Sequence, residues 1–268
     1  MKMLAIETSG SLGGFAVTDD GRLLSEVVSD ITGRHVEKGA AMIQYCLESA
    51  CVPAGALGAV AVSLGPGSFT GLRVGLALAK GLCFATGTAL VGVPTLDAMA
   101  EGLCLAEGLV APARDARRGE IFLSVYEVRG GRMKRVADYL ALPPEAAAEE
   151  ILKAGKALGS SGPILLAGDA LVRYEDQLRS LLGARMIVAD KMLWSPRPAV
   201  VAALGQRLLS EGKIADLDTI EPLYVRLSEA ERKQAERKQT EPTRAERNAE
   251  SPERGSTGRS RHKKNAGA

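Results

Sequence analysis

The order of predicted elements repeats in the two halves of the chain, and this repeat constrains the fold more than any other feature. The first half predicts strands at 3–7, 14–18 and 22–29, then a helix at 35–50, a strand at 57–64, a helix at 70–85, a strand at 89–93 and a helix from about 95. The second half predicts strands at 109–113, 120–128 and 133–140, then a helix at 144–154, a strand at 164–167, helices at 170–182 and 199–212 around a short strand at 186–188, and a closing strand at 223–226. Hairpins that lead into alternating helices and strands predict a mixed sheet covered by helices. The chain is expected to build this α/β lobe twice, around a cleft.

The C-terminal segment differs in composition from the rest of the chain. From Ser228 onward it has 11 Lys and Arg against 7 Asp and Glu, whereas the preceding residues carry a net charge of −2. It has almost no large apolar residue, so it cannot bury enough surface to offset its ordering entropy. We therefore predict an N-terminal lobe at 1–107, a C-terminal lobe at 108–227 and a basic disordered tail at 228–268. The tail is either a weak RNA attractant or a solvated extension.

Composition argues against several classes of protein. Aromatic residues make up 4% of the chain, which disfavours a broad stacking platform for single-stranded nucleic acid. Four cysteines without a CxxC pattern and only two histidines predict free thiols and no zinc site. The N-terminal apolar run has four residues, and no apolar run matches a bilayer span, so a cytoplasmic protein without membrane contact is expected.

The stretch SLGPGSFTGLRVGLALAKGL (residues 63–82) contains a glycine-rich turn that opens a helix. It fails the Walker A spacing, because Leu72 stands where the second glycine is required. It also fails the dinucleotide pattern, because the third glycine, Gly71, comes one residue late. Ser68 and Thr70 suit a helix start, so an anion site and a plain strand-to-helix turn both remain open.

Small residues recur along the helix that follows. Gly71, Gly75 and Ala79 are four residues apart and so share one face, and a glycine inside a helix costs about 1 kcal/mol relative to alanine. A closely approaching backbone would compensate for this cost. The helix therefore either packs tightly on its own sheet or offers a smooth face to another protein. Under the second interpretation, Gly75→Leu should weaken pairing and leave the fold intact.

Several segments, in one order along the chain, resemble a known family. GPGSFTGLRVGLALAKGL (65–82) is similar to the signature of the bacterial TsaB (YeaZ) proteins, and the match is specific because the motif is long. Shorter similarities are LAIETSGSLGGFAV (4–17), GRHVEKGAAMI (33–43), VGVPTLDAMA (91–100), ARDARRGEIFLSVY (113–126) and EPLYVRL (221–227). The resemblance covers about residues 1–227.

The resemblance implies duplicated actin-like (ASKHA, ribonuclease H-like) lobes and a subunit with no catalytic residues and no metal of its own. In the family, this subunit pairs with a larger catalytic paralogue, TsaD, and with an ATPase, TsaE. Together they make N6-threonylcarbamoyladenosine next to the anticodon of tRNAs that read codons beginning with A. Contact with tRNA through the complex, and a homodimer when the chain is alone, are further expectations.

The resemblance also implies that the partner contacts helices of the N-terminal lobe. On this chain those are the predicted helices 35–50 and 70–85. The residues expected at the contact are His35, Met42, Cys46, Gly71, Arg73, Gly75, Leu78, Ala79 and Leu82.

Departures from the family pattern bear on nucleotide binding. Glu7 stands where relatives have aspartate, and its longer side chain suits Mg²⁺ geometry poorly. Asp115 is its counterpart in the second lobe, while Ser9 and Gly168 lie in the regions that hold nucleotide in the superfamily. These four residues are interpreted as remnants, with no firmly bound cofactor and with ATP and Mg²⁺ possible only in the complex. The alternative function is an ATP-binding phosphotransferase or ATPase that uses Glu7 and Asp115.

The segment RDARRGE (114–120) concentrates arginines around acidic side chains. Arg114, Arg117 and Arg118 either border the cleft or contact tRNA phosphates, or else belong to a solvated charged turn. Both interpretations remain open at this point. Tyr224, on the predicted closing strand, is expected to lock the second lobe.

Overall fold

The computed structural model describes residues 1–30 and 35–225, with side chains from residue 38 onward in the helix that begins at residue 35. Residues 1–226 form one compact unit. The described residues contain one sheet from the first half of the chain and one from the second. The domain boundary at residue 107 stays a prediction, and the tail at 228–268 lies outside the described residues.

The first sheet has five strands in the order β3-β2-β1-β4-β5. They are β1 (Lys2–Glu7), β2 (Leu12–Asp19), β3 (Arg22–Asp30), β4 (Ala59–Gly65) and β5 (Ala89–Pro94). β1, β2 and β3 are antiparallel neighbours, while β4 pairs with β1, and β5 with β4, in parallel. The turn between β2 and β3 has left-handed φ at Asp20 and Gly21, which is the geometry of a type I′ hairpin.

Three helices follow strands of the first sheet: α1 (His35–Ser49), α2 (Phe69–Thr86) and α3 (Thr95–Glu101). Strand β1 is buried on both faces: successive side chains of a strand point to opposite sides, and here both sets are buried. On β1, Leu4 and Ile6 share a core cluster with residues of α1 and α2, whereas Met3 and Ala5 belong to a cluster on the other face. The near-continuous apolar run of β1 follows from this double burial.

The second sheet contains seven strands. They are β6 (Gly108–Arg117), β7 (Glu120–Leu123), β8 (Tyr126–Arg129), β9 (Arg132–Arg135), β10 (Leu140–Leu142), β11 (Ile164–Ala167) and β12 (Met186–Val188). The remaining helices are α4 (Pro144–Ala157), α5 (Leu171–Leu182) and α6 (Pro198–Ser210). Residues of α4 and α5 pack with the strands in one apolar cluster, and β6, β11 and β12 run parallel.

The structure corrects two strand predictions in the second half. The predicted strands 120–128 and 133–140 are each divided into two shorter strands. The reason is that β6 is long and changes partner: its first part pairs with β8 and its last part with β7. At the division, the Val125 carbonyl accepts hydrogen bonds from the backbone of Val136 (2.8 Å) and Ala137 (3.2 Å). The apolar alternation continues across this point, so the sequence pattern could not locate it.

The chain returns to the first sheet after β12. Val201, Ala202 and Leu204 of α6 are buried in the cluster that contains Met3 and Ala5, although the sequence pattern assigns α6 to the second lobe. The predicted strand 223–226 is absent from its described residues, 223–225. Instead, the Leu223 N–H donates to the Leu64 carbonyl at 2.7 Å. The last described residues therefore lie against the first half of the molecule.

Among the described residues, α2 is long and apolar enough to cross a membrane by length and composition, with a mean hydropathy of 1.2. Six of its residues, including Leu72, Leu76 and Cys83, are buried in this fold. Arg73 lies exposed on the same helix. The buried residues of α2 are explained by the core on which the helix packs, whereas Phe84 of the same helix is apolar and exposed.

Candidate functional site

Glu7 is a fully buried carboxylate at the carboxyl end of β1. Its Oε1 accepts the Ser9 N–H at 2.7 Å and the Ser9 hydroxyl, and its Oε2 accepts the Ser63 hydroxyl. Burial raises the pKa of Glu7, because the ionised form loses water; the hydrogen bonds and the charge of Arg114 lower the pKa but do not offset burial. Both oxygens of this carboxylate are therefore engaged inside the protein.

Arg114 joins the two sheets at this point; the sequence leaves open whether this arginine borders the cleft, contacts tRNA phosphates or belongs to a solvated charged turn. It lies on β6, is 7% exposed, and donates from Nη1 to Ser9 Oγ at 2.6 Å. A Cβ at position 10 would lie 2.9 Å from Nη2, and one at position 67 would lie 3.0 Å from Nη1. Glycine at both positions therefore leaves room for the guanidinium between the two turns. The signal in the sequence was an arginine at an otherwise apolar strand position.

The raised pKa of Glu7 predicts a specific dependence of stability on pH. Between the ordinary value of 4.5 and the higher folded pKa, the native state keeps a proton that the unfolded state releases. The free energy of unfolding, relative to Glu7→Gln, should therefore fall as pH rises through this window. Urea titrations of both proteins at several pH values measure the difference. Exposed Glu211, whose pKa is lowered by Lys213, is the control. The free energy of unfolding relative to Glu211→Gln should rise with pH, which is the opposite slope. A Glu7 difference that rises with pH would contradict the prediction.

Asp115 is tied to its own hairpin rather than presented to a ligand. Its Oδ1 accepts the Arg117 N–H at 2.7 Å, and its Oδ2 lies 3.3 Å from Arg117 Nη1. The Asp115 N–H donates to Asp169 Oδ1 at 2.9 Å. Gly168 has a φ of +132°, and a Cβ there would lie 2.0 Å from the Ala113 carbonyl oxygen. The glycine is thus required by the close approach of its loop to β6.

Glu7, Arg114, Asp115 and Gly168 do not fit a magnesium nucleotide bound between the two sheets of this chain. Both Glu7 oxygens accept protein hydrogen bonds, and the Arg114 guanidinium fills the space between the turns. The Ser68 side chain caps the start of α2 by accepting the Gly71 N–H at 3.2 Å. Within residues 1–30 and 35–225 there is no group of three or more His, Cys, Asp or Glu that could hold a metal ion. ATP and Mg²⁺ in a complex stay a prediction.

The small-residue face of α2 packs on the protein's own sheet. Gly71, Gly75 and Ala79 are buried, and the Thr8 hydroxyl donates to the Gly71 carbonyl at 2.9 Å. A Cβ at position 75 would lie 2.1 Å from Thr8 Oγ1. The first of the two interpretations of this face is therefore the correct one. The assignment of these three residues to a partner contact is wrong, because all three are already buried within this chain.

The other predicted contact residues differ in burial. Cys46 is fully buried, with its Sγ 3.5 Å from the Phe15 carbonyl oxygen, so its assignment to a partner surface is also wrong. Met42, Leu78 and Leu82 are partly buried against the core under α1 and α2. Arg73 is exposed near the start of α2. The His35 side chain lies outside the described residues.

The hairpin between β6 and β7 has an unusual backbone. Arg117 (φ 63°), Arg118 (φ 57°) and Gly119 (φ 84°) are all left-handed. This conformation costs an L-residue roughly 1–2 kcal/mol. Type I′ turns favour Asn-Gly or Asp-Gly, as this chain has at Asp20–Gly21. The Arg117 side chain is 85% exposed. These left-handed residues at the carboxyl end of β6 form the hairpin tip (Arg117–Gly119).

A second exposed group lies at the start of α2. The Phe69 ring, 44% exposed, lies with its centroid 5.7 Å from that of Tyr224, and the Arg73 guanidinium carbon lies 4.0 Å above the Phe69 centroid. Arg73 Nε donates to the Tyr224 hydroxyl at 3.1 Å. We call these three residues the aromatic cluster. The expectation that Tyr224 locks the second lobe is corrected, because its described partners are on α2.

Comparison with known proteins places this geometry in a family. Residues 23–234 match the model of the family described as TsaD: tRNA N6-adenosine threonylcarbamoyltransferase. The tRNA threonylcarbamoyladenosine biosynthesis protein TsaB of Bacillus subtilis strain 168 is 28% identical over 241 residues, covering 87% of this chain and 97% of the relative. The chain belongs to this family, as a TsaB (YeaZ) member. TsaB of Escherichia coli K12 is 27% identical and covers 84% of this chain and 95% of the relative.

A solved TsaB-type structure has the same fold. YeaZ from Pseudomonas aeruginosa matches with a TM-score of 0.71 and 25% identity, over 83% of this chain and 99% of that chain. The predicted actin-like α/β class, with two mixed sheets flanked by helices, is confirmed. The similarity extends over nearly the whole length of these TsaB relatives.

Proposed function

We propose that this chain acts in tRNA threonylcarbamoyladenosine biosynthesis as the non-catalytic subunit that docks and activates a TsaD-like catalytic paralogue. The process named for its relatives supports the broad role. The finer role is supported by Glu7 and Asp115, because both carboxylates accept hydrogen bonds from groups of this same chain. It is also supported by an exposed aromatic pair on the first sheet's helices. That pair is the observation that carries the proposal.

The pair is formed by Tyr45 of α1, 61% exposed, and Phe84 of α2, 87% exposed. β3, β4 and β5 run in one direction, so the helices that connect them, α1 and α2, return parallel to each other. The two helices touch closely at Gly39, where a Cβ would lie 2.6 Å from Leu78 Cδ1. Tyr45 and Phe84 each follow this contact by six residues, so they lie at one height on neighbouring helices.

This exposed pair suits a protein partner. Aromatic side chains are enriched in interface centres because they bury a large area at low conformational cost. Ala77 and Gly81 are exposed on α2 and leave room for a neighbouring helix. The docking face therefore consists of Tyr45, Ala77, Gly81 and Phe84, with Met42, Leu78 and Leu82 beneath it. It takes the place of the small-residue face, which is buried.

A charge on the docking face should weaken the pairing. Phe84→Asp is expected to reduce affinity for the cognate TsaD-like subunit at least thirtyfold, about 2 kcal/mol, as for an interface hot spot. Val172→Asp on α5, at a residue 78% exposed, is the matched control and should change affinity less than twofold. Titration calorimetry measures binding, and formation of modified adenosine in an unmodified tRNA transcript measures activity. Unchanged binding of Phe84→Asp would reject this face, and no wild-type complex would reject the partner role.

The remaining expectations follow the family. A TsaE-like ATPase, tRNA bound through the complex, a homodimer of the isolated chain and a cytoplasmic location belong to the same proposal. The alternative of a phosphotransferase or ATPase that uses Glu7 and Asp115 has no observation in its favour, since Glu7 is fully buried and Asp115 pairs with Arg117. We therefore carry only the partner function forward.

A further inference from the structure

The hairpin tip places two exposed arginines in left-handed backbone, at positions where such turns favour other residue types. The tight hairpin at Asp20–Gly21 has a residue type that favours left-handed backbone, whereas the hairpin tip has two arginines in that conformation. Residues other than glycine that are held in left-handed backbone are enriched at sites that hold side chains in place for binding. At the tip, both arginines are exposed.

The hairpin tip is held in place by contacts of Asp115 and Asp169. Asp115 accepts the Arg117 N–H and pairs with its guanidinium, and the Asp115 N–H is itself held by Asp169. A preorganised cation loses less conformational entropy when it binds. Arginine also presents a planar fork of donors that matches phosphate oxygens. The exposed arginines of the tip therefore suit an anion of phosphate geometry.

The aromatic cluster is connected to the hairpin tip through Arg114. Arg114, three residues before Arg117, contacts the turn at Gly67, two residues before Phe69. The carboxyl ends of β6 and β4 thus face each other, and both exposed groups extend from them.

We propose that the hairpin tip and the aromatic cluster bind RNA directly, with Arg117 and Arg118 on phosphates and with an unpaired base stacked on Phe69. Composition disfavours a broad stacking platform, but the fold places two of the few aromatics together under an arginine. Such a stack, beside phosphate-binding arginines, is how proteins hold unpaired bases. An acidic protein surface would also pair with the arginines. It would not account for the partly exposed Phe69 ring stacked with the Arg73 guanidinium.

The inference rests on the proposed function, because an RNA-modifying complex supplies the ligand. Its test replaces both arginines with asparagine, which favours left-handed backbone. Arg117→Asn with Arg118→Asn should therefore raise the melting temperature while weakening RNA binding. The matched control is Arg129→Asn with Arg132→Asn, which removes the same charge from the exposed hairpin between β8 and β9.

Binding of an unmodified tRNA transcript and of its isolated anticodon stem-loop is measured by fluorescence anisotropy over a salt series, with the full-length chain. The tip variant should bind about tenfold more weakly at about 150 mM salt, and the slope of log K against log salt should shrink by about 1.5. Phe69→Ser should weaken binding with an unchanged slope, because stacking releases no counterions. The control pair should change affinity less than threefold.

Three outcomes would overturn the inference. Equal losses in the tip and control variants would show nonspecific attraction to charge. An unchanged RNA affinity in the tip variant would exclude the contact. Unchanged RNA affinity together with weaker binding to the TsaD-like subunit would assign the tip to a protein partner. Because RNA binding is measured on this chain alone, these outcomes differ from failure of the proposed function, which appears as no wild-type complex.

Discussion

Gly75→Leu should destabilise the fold severely. Even a Cβ at this position would lie 2.1 Å from Thr8 Oγ1 and 3.5 Å from Ile6 Cγ2, so a leucine side chain must push α2 away from β1. That movement also breaks the hydrogen bond from Thr8 to the Gly71 carbonyl. Overpacking of this kind costs about 3 kcal/mol or more, a large part of the ~5–15 kcal/mol that holds a typical domain. The melting temperature should fall by roughly 10 °C.

Gly81→Leu is the matched control on the same helix. Gly81 is exposed, and a Cβ there meets no atom within 4 Å. Since leucine favours helix more than glycine does, this variant should gain up to about 1 kcal/mol. Thermal and urea unfolding of the two variants measure the contrast. A Gly75→Leu protein as stable as the wild type would mean that the small-residue face of α2 points away from the sheet, as the partner interpretation requires.

Arg114→Met should give the second large effect. The change removes the hydrogen bond from Nη1 to Ser9 Oγ and takes a positive charge away from buried Glu7. Loss of a buried charged hydrogen bond costs about 1.5–3 kcal/mol. Because methionine has similar length and packs well, little of the loss should come from a cavity. Urea unfolding at pH 7 gives the free energy.

A double-mutant cycle with Glu7→Gln separates charge from packing. If the Arg114 charge acts on Glu7, the double variant should lose less than the sum of the two single losses, by about 1 kcal/mol. Arg179→Met, which removes a surface pair with Glu175, should cost only about 0.3–0.5 kcal/mol. An Arg114→Met protein that behaves like Arg179→Met would show that the contact between the sheets carries no stability.

Most of the helices and strands could be predicted because their signals are local. Strand β11 (Ile164–Ala167) and strand β12 (Met186–Val188) begin and end where their apolar runs do. The first hairpin follows from Asp20–Gly21, whose residue types favour its backbone. The long signature at 65–82 is enough to indicate the family, because many residues at fixed spacing rarely match by chance.

The site was less predictable, because its residues are far apart in sequence. The small residues at 71, 75 and 79 predicted a close neighbour but could not identify it, since a sheet and a partner helix both fit a face without side chains. The division of the predicted strand 120–128 depends on a change of partner along β6. Arg114 lies 105 residues from Ser9, and only the packing of one sheet against the turns of the other brings them together.

Periodicity, turn residues and long motifs act over short distances, so they are enough to indicate the two α/β halves, the family and the presence of a glycine-lined helix face. What each face contacts depends on the tertiary fold. It turned Gly75 toward Thr8, buried Cys46, and left Phe84 exposed on the same helix as Gly75. Burial depends on contacts between elements that are distant in the chain. A helix has several faces, and only the face that packs on the sheet becomes buried.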